Sequence, residues 1–336
     1  NIEIIMEKKT YDVTTFGNAI VDIVNPTDFN FLKNNSLVPG SMNLVTAEES
    51  KKLISQSSPK DIISGGSAAN TAVGIASFGG KPAFVGKVKD DEYGNLFAKS
   101  LIETGVDFNT IKSPDGPPTA TSIISVTPDG ERTMCTHLGA CLNLNEDDID
   151  EKIISDSKVC YLEGYLWDPP NAKNAFKKVI NIAKRNDIVV SFTLSDSFCV
   201  DRYRDEFLAL IKNDIDILFG NEDEIKALYN SENLNNSIKN VIQYCKVLVV
   251  TKGSKGSEII SKNNKFIIPA IDVPKVIDKN GAGDAFAAGF LYGFSNEYKL
   301  NQCGELGNIA ATEMITHYGA RPEKKFSNLL IDYKIK

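Results

Sequence analysis

Histidine is nearly absent from this chain of 336 residues, with only His137 and His317, and that scarcity removes whole classes of chemistry. A histidine metal cluster is excluded, and a Ser/His/Asp triad has almost nothing to be built from, so a general base here is expected to be a carboxylate. Six cysteines (Cys135, Cys141, Cys160, Cys199, Cys245, Cys303) are scattered without a Cys-x-x-Cys pair and read as buried, reduced thiols of a cytoplasmic protein. No apolar run approaches the roughly 20 residues that a membrane helix needs, and no signal-peptide pattern opens the chain. Residues 1–6, with no Met at their start, read as an addition to the natural chain. Basic clusters are missing too. With a net charge of −7 and a pI near 5.1, nucleic acid and anionic membranes are poor partners and a small molecule is the better one. Neither a dinucleotide fingerprint nor a P-loop occurs; the nearest approach to the latter, Gly74 to Gly79, is followed by Gly80 where a Lys is required. What remains is an ordinary globular composition, 42% hydrophobic and 24% charged, between one large α/β domain and two smaller ones in size.

The most informative stretch is 276–290, Val-Ile-Asp-Lys-Asn-Gly-Ala-Gly-Asp-Ala-Phe-Ala-Ala-Gly-Phe. A strand-like run over 267–276 breaks at an acid, passes two glycines and enters small residues of good helix propensity, which predicts strand, loop and helix start. Gly281 and Gly283 let the backbone approach a ligand, and the first N–H groups of a helix form an anion site. Asp284 beside such a site is repelled by a phosphate unless it takes a proton from an attacking hydroxyl, and phosphoryl transfer accounts for both features. The plainer reading is an acid favouring the positive end of its helix after a tight turn.

Residues 11–24 alternate as one strand ending near Asp22, which is either a solvent-facing acid or an acceptor for substrate hydroxyls. Residues 62–70 repeat the glycine-turn logic, with Gly65-Gly66 leading into a helix over about 68–78. There Asn70 offers donors and an acceptor to sugar hydroxyls, unless the small residues serve only close packing. Segments 119–126 and 131–136 flank Pro128-Asp129-Gly130 as a hairpin, at whose return Arg132 either reaches a phosphate or lies on the surface. The hairpin predicts a small antiparallel β lid, contributed by about 22–46 and 118–140, on a single domain spanning 11–330. Strands at 159–162, 188–193, 215–219 and 247–251 alternate with helical patterns, predicting a central, mostly parallel sheet flanked by helices on both faces, with ligands at the strands' carboxyl ends. Asn221 with Glu224 either orients water around Mg²⁺ or caps a helix; Gly253 and Gly256 either leave room for a nucleotide or serve a hairpin.

Together these residues resemble the PfkB/ribokinase family of sugar and nucleoside kinases over nearly the whole chain, from Phe16-Gly17-Asn18 to Pro322-Glu323-Lys324. Asp278-Lys279-Asn280-Gly281-Ala282-Gly283-Asp284 matches the C-terminal signature, Gly65-Gly66-Ser67-x-x-Asn70 the N-terminal one, and Asn221-x-x-Glu224 a short magnesium-linked motif. Segments 192–195 and 216–222, with Asn280, lean towards the adenosine-phosphorylating members. The resemblance implies a ribokinase-like α/β fold and ATP- and Mg²⁺-dependent phosphorylation of the 5′-hydroxyl of adenosine or a related nucleoside. The alternatives it leaves are a kinase of ribose, fructose or another ketose, and a nucleoside-binding protein without the chemistry. It implies Asp284 as base, Gly281, Ala282 and Gly283 as anion hole, and Arg132 as a charge stabiliser from the lid. Asp22, Gly65, Gly66 and Asn70 would hold the sugar, with Tyr165 stacking on the base. Thr251, Gly253, Gly256 and Asn308 would line the ATP site, with Asn221 and Glu224 organising Mg²⁺ through water. A monovalent cation such as K⁺, and the choice between monomer and homodimer, stay open. Two departures stand out: Lys279 replaces a usual Thr, and His137 occupies a substrate-choosing lid position where those members carry a different polar residue.

Overall fold

The computed structural model describes residues 9–333, so the proposed addition at 1–6 lies outside the described residues. Thirteen strands occur in it: β1 Tyr11–Phe16, β2 Ile20–Pro26, β3 Met42–Leu44, β4 Asp61–Gly65, β5 Pro82–Val85, β6 Ala120–Val126, β7 Arg132–His137, β8 Ser157–Glu163, β9 Val189–Thr193, β10 Ile217–Asn221, β11 Val247–Thr251, β12 Ser257–Ser261 and β13 Lys265–Ile268. Eight form one sheet in the order β13-β12-β11-β10-β9-β8-β1-β5, and five form a second in the order β3-β7-β6-β2-β4. In the large sheet β5, β1, β8, β9, β10 and β11 are mutually parallel, and only β12 and β13 run against their neighbours.

Alternation along the parallel strands builds two cores. Cys160, Leu162, Val190, Phe192, Leu218 and Leu248 face helices Pro170–Arg185, Ser197–Asn213 and Glu222–Leu228. Val13, Val159, Tyr161, Phe219 and Val249 face the other way, with Ala72 and Ile75 of helix Ser67–Ser77 and Phe286 and Phe290 of helix Ala282–Ser295 in the same core. Helix starts follow local chemistry: Thr46 and Glu49 form a reciprocal capping box for Ala47–Ser55, and Asp91 and Asp196 cap Glu92–Glu103 and Ser197–Asn213.

The structure departs from the sequence pattern at several places. Residues 11–24 make two strands in two sheets, because a buried acid draws the chain aside: Asn18 N donates to Glu163 Oε1 at 2.7 Å, and a Cβ on Gly17 would lie 2.4 Å from that carboxyl. β4 pairs antiparallel with β2 and so adds 61–65 to the lid. The lid is a mixed sheet and not a purely antiparallel one, since β2 runs parallel to β6 and β3 to β7. The strand expected over 267–276 stops at Ile268, where Pro269 removes a donor, and the chain stays irregular to Gly281. The helical pattern after Asn221 divides into Glu222–Leu228 and Leu234–Val241, broken near Asn230 at φ +45°.

Helix Ala282–Ser295 is wedged between two others through glycine. A Cβ on Gly74 would lie 2.5 Å from Ala288 Cβ, and one on Gly289 would lie 2.4 Å from the Leu306 carbonyl oxygen of helix Leu300–Met314. Gly289→Val is expected to overpack this wedge at a cost of about 1–3 kcal/mol, read as a lowered melting temperature in differential scanning calorimetry.

Candidate active site

The parallel strands end together, bringing Glu163, Thr193, Asn221 and Thr251 to one edge of the large sheet, with the lid sheet above it. Helix Ala282–Ser295 starts at this edge from Gly281, whose φ is +73° and whose missing Cβ leaves room for Ala320 Cα at 2.8 Å. No side chain caps that helix, and a Cβ on Gly283 would meet nothing within 4 Å. Ala282 N donates to Lys279 O at 3.3 Å, while the N–H groups of Gly283 and Asp284 have no side-chain cap and Gly283 lies open, an arrangement suited to phosphate. Asp284, in its first turn, accepts from Ser67 Oγ at 2.6 Å through Oδ1 and from Asn70 Nδ2 at 2.9 Å through Oδ2. Burial raises its proton affinity, while the Ser67 and Asn70 donors and Arg321 pull the other way.

Asp22 stands on β2 against Gly65, where a Cβ would come within 2.2 Å of its carboxylate. Burial pushes Asp22 up to about 7, Arg321 and Arg132 pull it down, and Asp284 adds a smaller upward push. Gly66 takes φ +95° and has Asn18 O where a Cβ would be, at 2.2 Å. Asn70 Oδ1 is buried with no hydrogen-bond partner, an acceptor beside Asp284 left for a hydroxyl.

Arg132 reaches from β7 to pair with Asp278, which also accepts from Asn280 N at 3.1 Å and Gly319 N at 2.9 Å. Its Nη1 is buried without a partner. Lys279 is exposed. The register aligns Asp22, Ser122 and Thr136 in one row across β2, β6 and β7, so His137, one residue on, occupies the opposite face of the lid. There His137 Nδ1 lies 3.4 Å from Val45 O. Besides Ser122 and Thr136, lid residues sharing the face of Asp22 include Met134, Met42 and Leu44, the last two 53% and 58% exposed. Tyr165 is packed partly against the core, and its hydroxyl donates to Ser195 O at 3.3 Å.

On the proposed nucleotide side, Asn221 and Glu224 form a closed capping box: Asn221 Oδ1 accepts from Asp223 N and Glu224 N, each at 2.9 Å. Glu224 in turn accepts from Asn221 N and Nδ2, at 3.0 and 2.6 Å. Burial pushes Glu224 up to about 7. Thr251 ends β11 and Gly253 faces open space, but Gly256 is held by the hairpin, since a Cβ there would lie 2.0 Å from Ile268 O. Asn308 is likewise committed to protein, donating to Ile268 O at 3.3 Å and Pro269 O at 2.8 Å and accepting from Ser257 Oγ at 3.3 Å. Among the described residues no group of three or more His, Cys, Asp or Glu side chains gathers as a metal cage.

Three site residues escaped sequence reasoning. Ser67 is named inside the N-terminal motif but is given no role there. Glu163 is a lone acid closing an apolar strand, the same signal that marked Asp22; it accepts from Asn18 N and Ala68 N, both at 2.7 Å. Arg321 follows the last long helix with no periodic signal, yet its guanidinium lies under the lid near Asp22 and Asp284.

A carboxylate beside an uncapped helix start, facing a second carboxylate across a glycine turn, suits a phosphotransferase acting on a hydroxyl. Residues 35–325 match the pfkB family of carbohydrate kinases, and the chain belongs to that family. It is 27% identical over 325 residues to a 5-dehydro-2-deoxygluconokinase of Clostridium perfringens, covering 93% of this chain and 89% of that one. The structure superposes with a TM-score of 0.91 on a probable sugar kinase from Rhizobium etli, 42% identical over 98% of this chain and 100% of that one. It superposes with a TM-score of 0.90 on an adenosine kinase from Sinorhizobium meliloti, 43% identical over 96% of this chain and 99% of that one. The fold is ribokinase-like, and the protein is an ATP-dependent kinase acting on an alcohol group.

Glu163 provides a test of the buried charge. Burial first, with Asp284 adding to it, pushes Glu163 up to about 7 from an ordinary 4.5, against the donors Asn18 and Ala68. A raised folded value means stability that is full below the unfolded value and lost as pH rises through about 7. Glu163→Gln does not titrate, so the melting temperature measured from pH 4 to 8 should fall less steeply with pH than in wild type. Any cost of the variant, from the buried N–H group that then faces an amide NH2, should be largest near pH 4 and shrink or reverse by pH 8.

Proposed function

We propose that this site transfers the γ-phosphoryl group of ATP to a primary hydroxyl of a sugar, with Asp284 as the base. The observation carrying this is Asp284, held by Ser67 and Asn70 at an uncapped helix start and facing Asp22 across the Gly65-Gly66 turn. An acceptor hydroxyl seated between the two acids loses its proton to Asp284 as its oxygen bonds to phosphorus and the bond to the leaving ADP oxygen breaks. A carboxylate whose proton affinity is raised by burial is a better base than a free one. The N–H groups at Gly283 and Asp284 and the unpartnered Nη1 of Arg132 meet the charge on the phosphoryl oxygens. Asp22 and the free Oδ1 of Asn70 accept hydrogen bonds from the other hydroxyls.

The donors suit Mg²⁺ only as a hydrated companion of the nucleotide. Glu224 is already engaged by Asn221, and in the same helical turn Glu222 pairs with Lys252 and Lys255 and Asp223 with Lys226, so no bare carboxylate cage adjoins the proposed ATP side. Bound there, Mg²⁺ would neutralise phosphate charge. Asn308 and Gly256 take a framework role in this reading, holding the hairpin that borders the nucleotide.

A free sugar or sugar acid is the first reading of the acceptor. The 5-dehydro-2-deoxygluconokinase that matches over 93% of the chain and the 42% identical probable sugar kinase both support it. Adenosine, the expectation from the motif leanings, stands second and has its own support. The S. meliloti adenosine kinase is 43% identical, and Met42, Leu44 and Met134 give the lid face above Asp22 an apolar surface that a purine would cover and a free sugar would not.

ADP formation measured with ribose, fructose, 5-dehydro-2-deoxygluconate, adenosine and inosine separates the readings. Turnover with free sugars alone supports the first; turnover with adenosine alone replaces it with the second. Asp284→Asn is expected to lower kcat by about 10²–10⁴-fold with the melting temperature kept or raised, and equal rates would remove Asp284 as base.

A further inference from the structure

Arg321 lies outside every motif read from the sequence, yet its guanidinium holds both ends of the glycine turn. Nε and Nη2 donate to Ser64 O at 3.0 and 2.6 Å, and Nη2 also donates to Ser64 Oγ at 2.9 Å. Nη1 donates to Ala69 O at 3.2 Å. Between these anchors lie Gly65, against which Asp22 packs, and Ser67, which donates to Asp284; Asn70, the other donor to Asp284, follows directly. The segment that delivers Arg321 is tied to the signature loop as well, through Gly319 N on Asp278 Oδ2 at 2.9 Å and Ala320 against Gly281.

We infer that Arg321 is a positioning residue for phosphoryl transfer: it clamps the 64–69 turn so that Asp22 and Asp284 are aimed at one hydroxyl-bearing substrate, and it places one positive charge near both acids. The inference rests on the phosphotransferase reading above. A planar fork is required for the first task, because three nitrogens address two carbonyls and a hydroxyl in one plane. A fixed cation is required for the second. Asp22 faces Arg321, Arg132 of β7 and Asp284, while Asp284 faces Arg321, Ser67, Asn70 and, from β8, Glu163 and Tyr161. Arg321 is the cation that both acids share. Its own proton affinity is lowered by burial to about 10, which leaves it charged at neutral pH.

Two variants separate the clamp from the charge. Arg321→Gln removes both, whereas Arg321→Lys keeps the charge and loses the fork. In steady-state kinetics with the acceptor that wild type uses, KM for the acceptor should rise on the order of fivefold in both variants, while KM for ATP stays unchanged. The acidic limb of the kcat/KM profile should move to higher pH by on the order of one unit in Arg321→Gln and stay in place in Arg321→Lys. If both variants lose only folded protein, with the acidic limb and both KM values as in wild type, Arg321 is structural and the inference is overturned. Failure of both to fold has the same meaning. Amide hydrogen exchange across 65–70 needs no turnover: faster exchange in Arg321→Gln than in wild type supports the clamp, and equal exchange overturns it. Absence of wild-type ADP formation with every acceptor would overturn the phosphotransferase reading instead, and the exchange result would still decide the clamp.

Discussion

Three carboxylates, Asp22, Glu163 and Asp284, meet at the carboxyl edge of the eight-stranded sheet, and burial raises the proton affinity of each. A carboxylate withdrawn from water is costly unless donors and opposite charge surround it. Much of the surrounding structure answers that requirement. Glu163 is satisfied by backbone N–H groups from two separate chain segments, Asp284 by Ser67 and Asn70, and Asp22 is balanced by two arginines arriving from the lid and from the far end of the chain. Each solution fixes a loop, and the fixed loops are the site.

Glycine makes these solutions possible. Gly17 and Gly65 are bare because carboxylates occupy the space a Cβ would take, and Gly66 and Gly281 turn the chain with positive φ so that two helices begin at the same place. Gly283 differs in having nothing within 4 Å of where its Cβ would stand, so the protein does not fill its side of the helix start. The same Cβ test divides Gly253, open to solvent, from Gly256, closed by the hairpin.

Much of this was legible in the sequence because local chemistry dictates it. The parallel strands after Asp156, the helix at Ala47–Ser55, the two glycine turns and the acids Asp22 and Asp284 all carry their signal within a few residues. What escaped was set by contacts between distant segments. β1 and β2 read as one alternating run because the break comes from Glu163, some 145 positions away. β4 falls outside the expected lid bounds because its partner is fixed by lid register, and the same register sets His137 on the face of the lid opposite Asp22. Arg321 has no periodic neighbour at all; its role exists only once Ser64 and Ala69 are brought beside it.

Glu163 carries a mechanical consequence. It grips Asn18, where the chain leaves β1 for the lid, and Ala68, where it returns from β4 to the core. Both crossings are thus fixed to one side chain, which stands to the lid as a hinge post stands to a door. Points near the post sweep short arcs and points far from it sweep long ones. Asp22 lies two residues beyond the start of β2, about 7 Å out, whereas Arg132 is level with Pro26, about 20 Å out. Any swing about that post would therefore displace Asp22 little and Arg132 most, and Arg132 is the residue tied back to the signature loop through Asp278.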